Sequence, residues 1–167
     1  REPMRKIMML FVALLTLAAA TPAAQAKRSI MELPLIERAV LIIKKYETLH
    51  RPRHWPAIGY GHMVQPGEPY RRGIQLNERQ ADALLRKDLY KFVSLYKHMG
   101  ERNAILLGTL AYNIGPGAVN KSTVYKKLKR GDRNIYKEYT AHCRYKGKFH
   151  RQLHERRQVE YFALFVP

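Results

Sequence analysis

The sequence contains a single cysteine, Cys143, so no disulfide can close within the chain. Packing alone has to stabilise it, and about 140 residues suffice for a core that does so. Acid is scarce: 13 Asp and Glu stand against 31 Lys and Arg, a formal charge of +18. There is one tryptophan, Trp55. No internal repeat or low-complexity tract follows residue 27, so the chain is read as one domain. No uninterrupted apolar run reaches the roughly 20 residues that a membrane span prefers.

The first residues form a pattern of their own. Arg5 and Lys6 precede the apolar run Ile7–Leu15, which continues through Ala18–Ala20 to Ala24-Gln25-Ala26. A basic start, an apolar stretch and a small-x-small site predict a secretory signal peptide over residues 1–26, with the working domain over 27–167. Its removal would take away Arg1, Arg5 and Lys6 with Glu2, lowering the charge from +18 to +16. The expected location is the periplasm or the extracellular space, with no stable membrane span after cleavage. Nucleic acid is the default partner of so basic a chain. An exported protein meets other polyanions first, namely phospholipids and the carboxylates of a cell wall, so no specific nucleic acid is expected. A monomer is expected, without metal or cofactor.

Leu35, Ile36, Ala39, Val40, Ile42 and Ile43 recur at helical spacing and predict a helix that ends between Glu47 and His50. Pro52 and Pro56 break the next segment, and Ile58–Met63 reads as a strand. Asn77 with Gln80 forms a capping-box pattern ahead of a helix reaching toward His98. Asn103 is the expected cap of a buried helix, Ala104–Ile114, stopped by Gly115. A helix over Val124–Arg130 follows, closed by Gly131. Residues 134–143 and Gln152–Phe165 read as further helices, interrupted at Gly147. The fold class is α+β and mostly helical, with one small sheet or hairpin beside a helical lobe.

Chemistry concentrates at Glu47. A carboxyl group at a helix C-terminus is disfavoured as an anion by the helix dipole. Against apolar surface it can keep a proton near neutral pH and act as a general acid. That is the main requirement for cleaving a glycosidic bond. Gly59 and Gly61 either relieve crowding in a strand or let a sugar chain approach bare backbone. Tyr112 and Asn113 are a core aromatic with a helix end, or a cleft wall that binds an N-acetyl sugar. Ser122-Thr123 reads as a helix cap with a possible second role at substrate. Arg156, Arg157 and Glu160 read as a charge cluster on a helix surface that ties down the last helix.

Three blocks, in order over residues 33–167, resemble the phage-type lysozymes, the endolysin family of glycoside hydrolases (family 24). They are Glu47 with Ile58-Gly59-Tyr60-Gly61-His62, Leu110–Ala118 continuing to Ser122–Leu128 and Gly131-Asp132, and Glu155–Glu160 ending in Leu164-Phe165. The resemblance implies a lysozyme-like fold, Glu47 as the catalytic acid, and substrate contacts at Tyr60, Tyr112, Asn113, Ser122 and Thr123. It implies a structural role for His62, which anchors the strand by polar contacts. Its implied substrate is bacterial peptidoglycan, cut between N-acetylmuramic acid and N-acetylglucosamine.

The chain departs from that family in one place. Members carry an Asp in the hairpin after the acid and a Thr directly before the strand motif. Here the loop is shortened to His50–Pro56 without a carboxylate, and Ala57 stands at the Thr position. A two-carboxylate mechanism needs a pair ~5–9 Å apart. His54 is the candidate second catalytic group, positioning a water, with Glu68 the nearest downstream acid. Arg51, Arg53 and Trp55 are alternative substrate grips. Hydrolysis, a single-acid cleavage giving an anhydro sugar, and a non-catalytic wall-binding module all remain open from sequence.

Overall fold

The computed structural model describes residues 16–17 and 28–166. The expected signal peptide therefore lies outside the described residues, apart from Thr16–Leu17 (β1), which pairs antiparallel with Arg28–Ser29 (β2). Among the described residues the chain is mostly helical with two-stranded antiparallel hairpins. This is the α+β class expected.

Helix α1, Leu35–Glu47, turns Ala39, Val40, Ile42 and Ile43 into the core. Arg38 fixes its start, donating from Nε to Leu33 O (2.8 Å) and from Nη1 to Ala163 O (3.0 Å) near the far end of the chain. The helix stops where Thr48 takes φ +55°. His50 N then donates to Gly59 O at 2.8 Å and folds the short loop back.

The expected strand over Ile58–Met63 is instead a tight hairpin. Ala57–Ile58 (β3) pairs with His62–Met63 (β4), Ile58 opposite His62. Gly59 and Gly61 reverse the chain at φ +56° and +93°, a region that side chains rarely adopt. Large side chains alternating with glycine disguised that turn as one extended run.

Helix α2, Glu78–Leu95, begins with the expected capping box, Asn77 Oδ1 accepting from Gln80 N at 2.9 Å. Helix α3, Glu101–Ile114, is the central one, with every residue from Ala104 to Ala111 buried. It starts one turn earlier than the sequence suggested. Gly100 precedes it at φ +86°, and Asn103 lies inside it, its Nδ2 donating to Met99 O at 3.0 Å. Helices α2 and α3 meet at Gly108, where a Cβ would stand 2.6 Å from Val93 Cγ2 and 2.8 Å from Val93 Cα.

Gly115, at φ +83°, turns the chain into α4, Pro116–Lys121. Ser122 then caps α5, Thr123–Lys129. Helix α6 spans only Tyr136–Thr140, and Cys143 is buried after it. The residues after Cys143 form another hairpin, Arg144–Tyr145 (β5) with Lys148–Phe149 (β6). Helix α7, Arg151–Glu160, continues into a wider turn over Tyr161–Phe165 that buries Ala163, Leu164 and Phe165. None of the described helices is long and apolar enough to cross a membrane.

Candidate active site

Glu47 is the last residue of α1, and α1 runs across the buried α3 and α7. The apolar shelter expected for Glu47 is not what surrounds it. Its Oε1 accepts from Arg156 Nη1 at 2.6 Å, and Asn113 Nδ2 lies 3.5 Å from the same oxygen. Oε2 receives no hydrogen bond from the described residues. It faces Gly61, where a Cβ would stand 3.1 Å away. Glycine at that position therefore has a steric as well as a conformational reason.

Arg156, Arg157 and Glu160 correct the sequence reading most sharply, because they are buried rather than on a helix surface. Glu160 Oε1 accepts from Arg156 Nε at 2.9 Å, and its Oε2 accepts from Tyr139 Oη at 2.8 Å. Arg157 Nη1 is 3.2 Å from Glu160 Oε2, and Arg157 Nη2 donates to Asn113 Oδ1 at 2.9 Å. Burial disfavours the Arg156 cation. The charges of Glu160 and Glu47 outweigh that and hold its proton more firmly than usual. A signal for this was present in the sequence. Helix α7 holds only two aliphatic residues, Leu153 and Val159, so a packed α7 has to bury charge.

Asn113 and Tyr112 close the last turn of α3. Tyr112 Oη donates to Tyr60 O at 2.8 Å, tying α3 to the hairpin that carries Gly61. Burial, with Asp88 and Glu47 nearby, pushes the Tyr112 phenol well above its usual range. Tyr60 is itself buried, beneath Lys44 at 5.4 Å from its ring. It presents backbone rather than a stacking face.

His62 is held by two carboxylates. Nδ1 is 2.6 Å from Asp88 Oδ2 and Nε2 is 2.8 Å from Glu68 Oε2, so both nitrogens donate. Burial opposes its charge, but the two carboxylates outweigh burial and raise its pKa. Glu68 Oε2 also accepts from Gln65 N at 2.8 Å. Glu68 is therefore committed to the loop that carries it.

His54 is exposed. Its Nδ1 accepts from Arg51 N at 3.0 Å, and Arg53 Nε approaches Nε2 at 3.3 Å. A neutral imidazole has one lone pair to offer. With Nδ1 taken by the backbone, His54 has no second nitrogen with which to accept a proton from water. Ser122 is buried and spends its hydroxyl on the cap, accepting from Tyr125 N at 3.1 Å. Thr123 is exposed as the first residue of α5. The fold thus gathers Glu47, Gly61, Asn113 and Tyr112, with the Tyr60 backbone, around one carboxylate. Among the described residues no hydrogen bond links His54, Ser122 or Thr123 to that group.

The sequence pattern of the phage lysozyme family matches residues 44–160, which include Glu47, the glycine hairpin and Arg156 to Glu160. The chain is 30% identical over 107 residues to an endolysin of Acyrthosiphon pisum secondary endosymbiont phage 1, covering 58% of this chain and 70% of that one. Its fold resembles the muramidase domain of SpmX from Asticaccaulis excentricus, with TM-score 0.65, 25% identity, and 77% and 95% of the two chains covered. It also resembles the endolysin of Escherichia coli O157:H7 phage FAHEc1, with TM-score 0.64, 25% identity, and 80% and 94% covered.

Proposed function

We propose that this chain, which belongs to the phage lysozyme family, cuts bacterial peptidoglycan between N-acetylmuramic acid and N-acetylglucosamine with Glu47 as general acid. Membership makes it a lysozyme-type enzyme that cleaves peptidoglycan. The observation that supports the assignment of the acid is the asymmetry of Glu47. Arg156 engages Oε1, while Oε2, which receives no hydrogen bond among the described residues, faces the bare backbone of Gly61.

In this reading Oε2 carries the proton and gives it to the bridging glycosidic oxygen. The C1–O bond breaks, and its electron pair leaves with that oxygen as a hydroxyl. The carboxylate left on Glu47 is met by the guanidinium already on Oε1. A water adds to C1 and returns a proton to Glu47, giving a reducing-end muramic acid. The formal charge of +18 supports attraction to the carboxylates of the wall.

A second reading has one specific observation in its favour. Glu68 and Asp88, the two carboxylates that reach the hairpin's His62, are both bound to it. A substrate that supplies its own nucleophile needs only Glu47. Its 6-hydroxyl would attack C1, pass its proton to Glu47 and leave a 1,6-anhydro end, lighter by one water. Mass spectrometry of digested peptidoglycan separates the two. Glu47→Gln keeps the shape and removes the proton donor. It should lower the rate by at least ~10²–10⁴-fold in a folded protein, and retained activity would remove Glu47 from the role. Export belongs to the same proposal, supported by the Arg5–Ala26 pattern. N-terminal sequencing of protein recovered outside the cytoplasm should begin near Lys27.

A further inference from the structure

We infer that Glu160, which is fully buried and out of reach of any substrate, is a positioning residue that sets which oxygen of Glu47 carries the transferable proton. This rests on the proposed role of Glu47. Two polar routes run from Glu160 and both end on the same oxygen. In one, Glu160 Oε1 accepts from Arg156 Nε at 2.9 Å, and Arg156 Nη1 donates to Glu47 Oε1 at 2.6 Å. In the other, Glu160 Oε2 lies 3.2 Å from Arg157 Nη1, Arg157 Nη2 donates to Asn113 Oδ1 at 2.9 Å, and Asn113 Nδ2 faces Glu47 Oε1 at 3.5 Å. Arg157 thus fixes which end of the Asn113 amide points at the acid. With Oε1 facing N–H donors on both routes, only Oε2 is left to hold a proton.

Charge makes the same point. Arg156 and Arg157 are 3% and 0% exposed in their side chains, and Glu160 is 0% exposed. Without Glu160 two cations would sit in the core beside Glu47, and they would favour its carboxylate over its acid form. Glu160 supplies the compensating charge, so the guanidiniums can hold Oε1 without pulling the proton from Oε2. Tyr139 Oη, at 2.8 Å, holds Glu160 in place from α6. The groups that face Glu47 are Arg156 from α7, Asn113 and Tyr112 from α3, and the Gly61 backbone of the hairpin. Those that face Glu160 are Tyr139, Arg156 and Arg157, with Tyr46 and the half-buried His142 close enough to feel its charge.

The test is the pH profile of kcat on soluble glycan strands at fixed ionic strength, with circular dichroism as the check on folding. In Glu160→Gln the alkaline limb should move to lower pH by about one unit, a tenfold change in proton affinity. KM should change little, and Glu160→Asp should return the limb toward the wild type. Should Glu160→Gln not fold, Arg157→Gln carries the test with the opposite sign. It removes one cation, so the limb should move to higher pH. A limb that stays at the wild-type position in a folded Glu160→Gln or Arg157→Gln protein would overturn the inference, whatever the loss of rate. The role of Glu47 fails separately, by activity surviving in Glu47→Gln.

Discussion

Arg156 and Glu47 are 109 positions apart in the chain, yet Nη1 of one lies 2.6 Å from Oε1 of the other. The contact joins the end of the first long helix to the middle of the last. It needs α1 packed on both α3 and α7, and the Tyr161–Phe165 turn that continues α7 packed on α3. One pair therefore reports on fold and site together.

Replacing Arg156 with Met should test that double role. The change keeps much of the aliphatic bulk and removes the cation between Glu47 and Glu160. Removing one partner from a buried ion pair costs about 3–5 kcal/mol. Urea unfolding at neutral pH should show a loss of that size, together with a fall in cleavage rate at temperatures where the variant is still folded. A variant as stable as the wild type would mean that the buried charges are dispensable.

Gly61→Ala should damage activity more than Gly59→Ala does. Both positions have positive φ, so both substitutions strain the backbone by about 1–3 kcal/mol. Only at Gly61 would the new Cβ press on Glu47, 3.1 Å from Oε2. At Gly59 it would meet Ala81 and Leu76 at ordinary contact distances of 3.5 Å. Initial rates measured beside melting curves separate the two effects, and equal rates in the two variants would contradict the geometry.

Stability should depend on pH through His62. Its folded pKa lies above the unfolded value because burial is outweighed by Glu68 and Asp88. The contribution is thus fully present below the unfolded value of about 6.5 and is lost as pH rises through the higher folded value. Denaturant titrations from slightly acid to alkaline pH should show stability falling across that window. His62→Gln should flatten this part of the profile, and an unchanged slope would remove His62 as its source.

Gly108→Ala serves as a control far from the chemistry. A methyl group there would stand 2.6–2.8 Å from Val93, including its backbone. Overpacking of this kind costs about 1–3 kcal/mol. The melting temperature should fall while the pH profile of cleavage keeps its wild-type shape.

Local rules settled a good deal from sequence alone. The 3.6-residue period of Ala39, Val40, Ile42 and Ile43 fixed the first helix and put Glu47 at its end. The Asn77–Gln80 box, Gly115 and Ser122 marked helix limits because caps and positive-φ turns depend on neighbouring residues. Those rules failed where two readings share one local pattern. Ile58–Met63 alternates like a strand, and only the positive φ of Gly59 and Gly61 makes it a hairpin. The order of the three motifs was enough to indicate the family. Tertiary structure alone decided the environment of Glu47. The charge on Arg156, Arg157 and Glu160 reads in sequence as a solvated helix face. The scarcity of aliphatic residues in α7, together with a counter-charge supplied by α1, turns that face inward. Which charges meet in a core depends on the packing of distant helices, and no local rule carries that information.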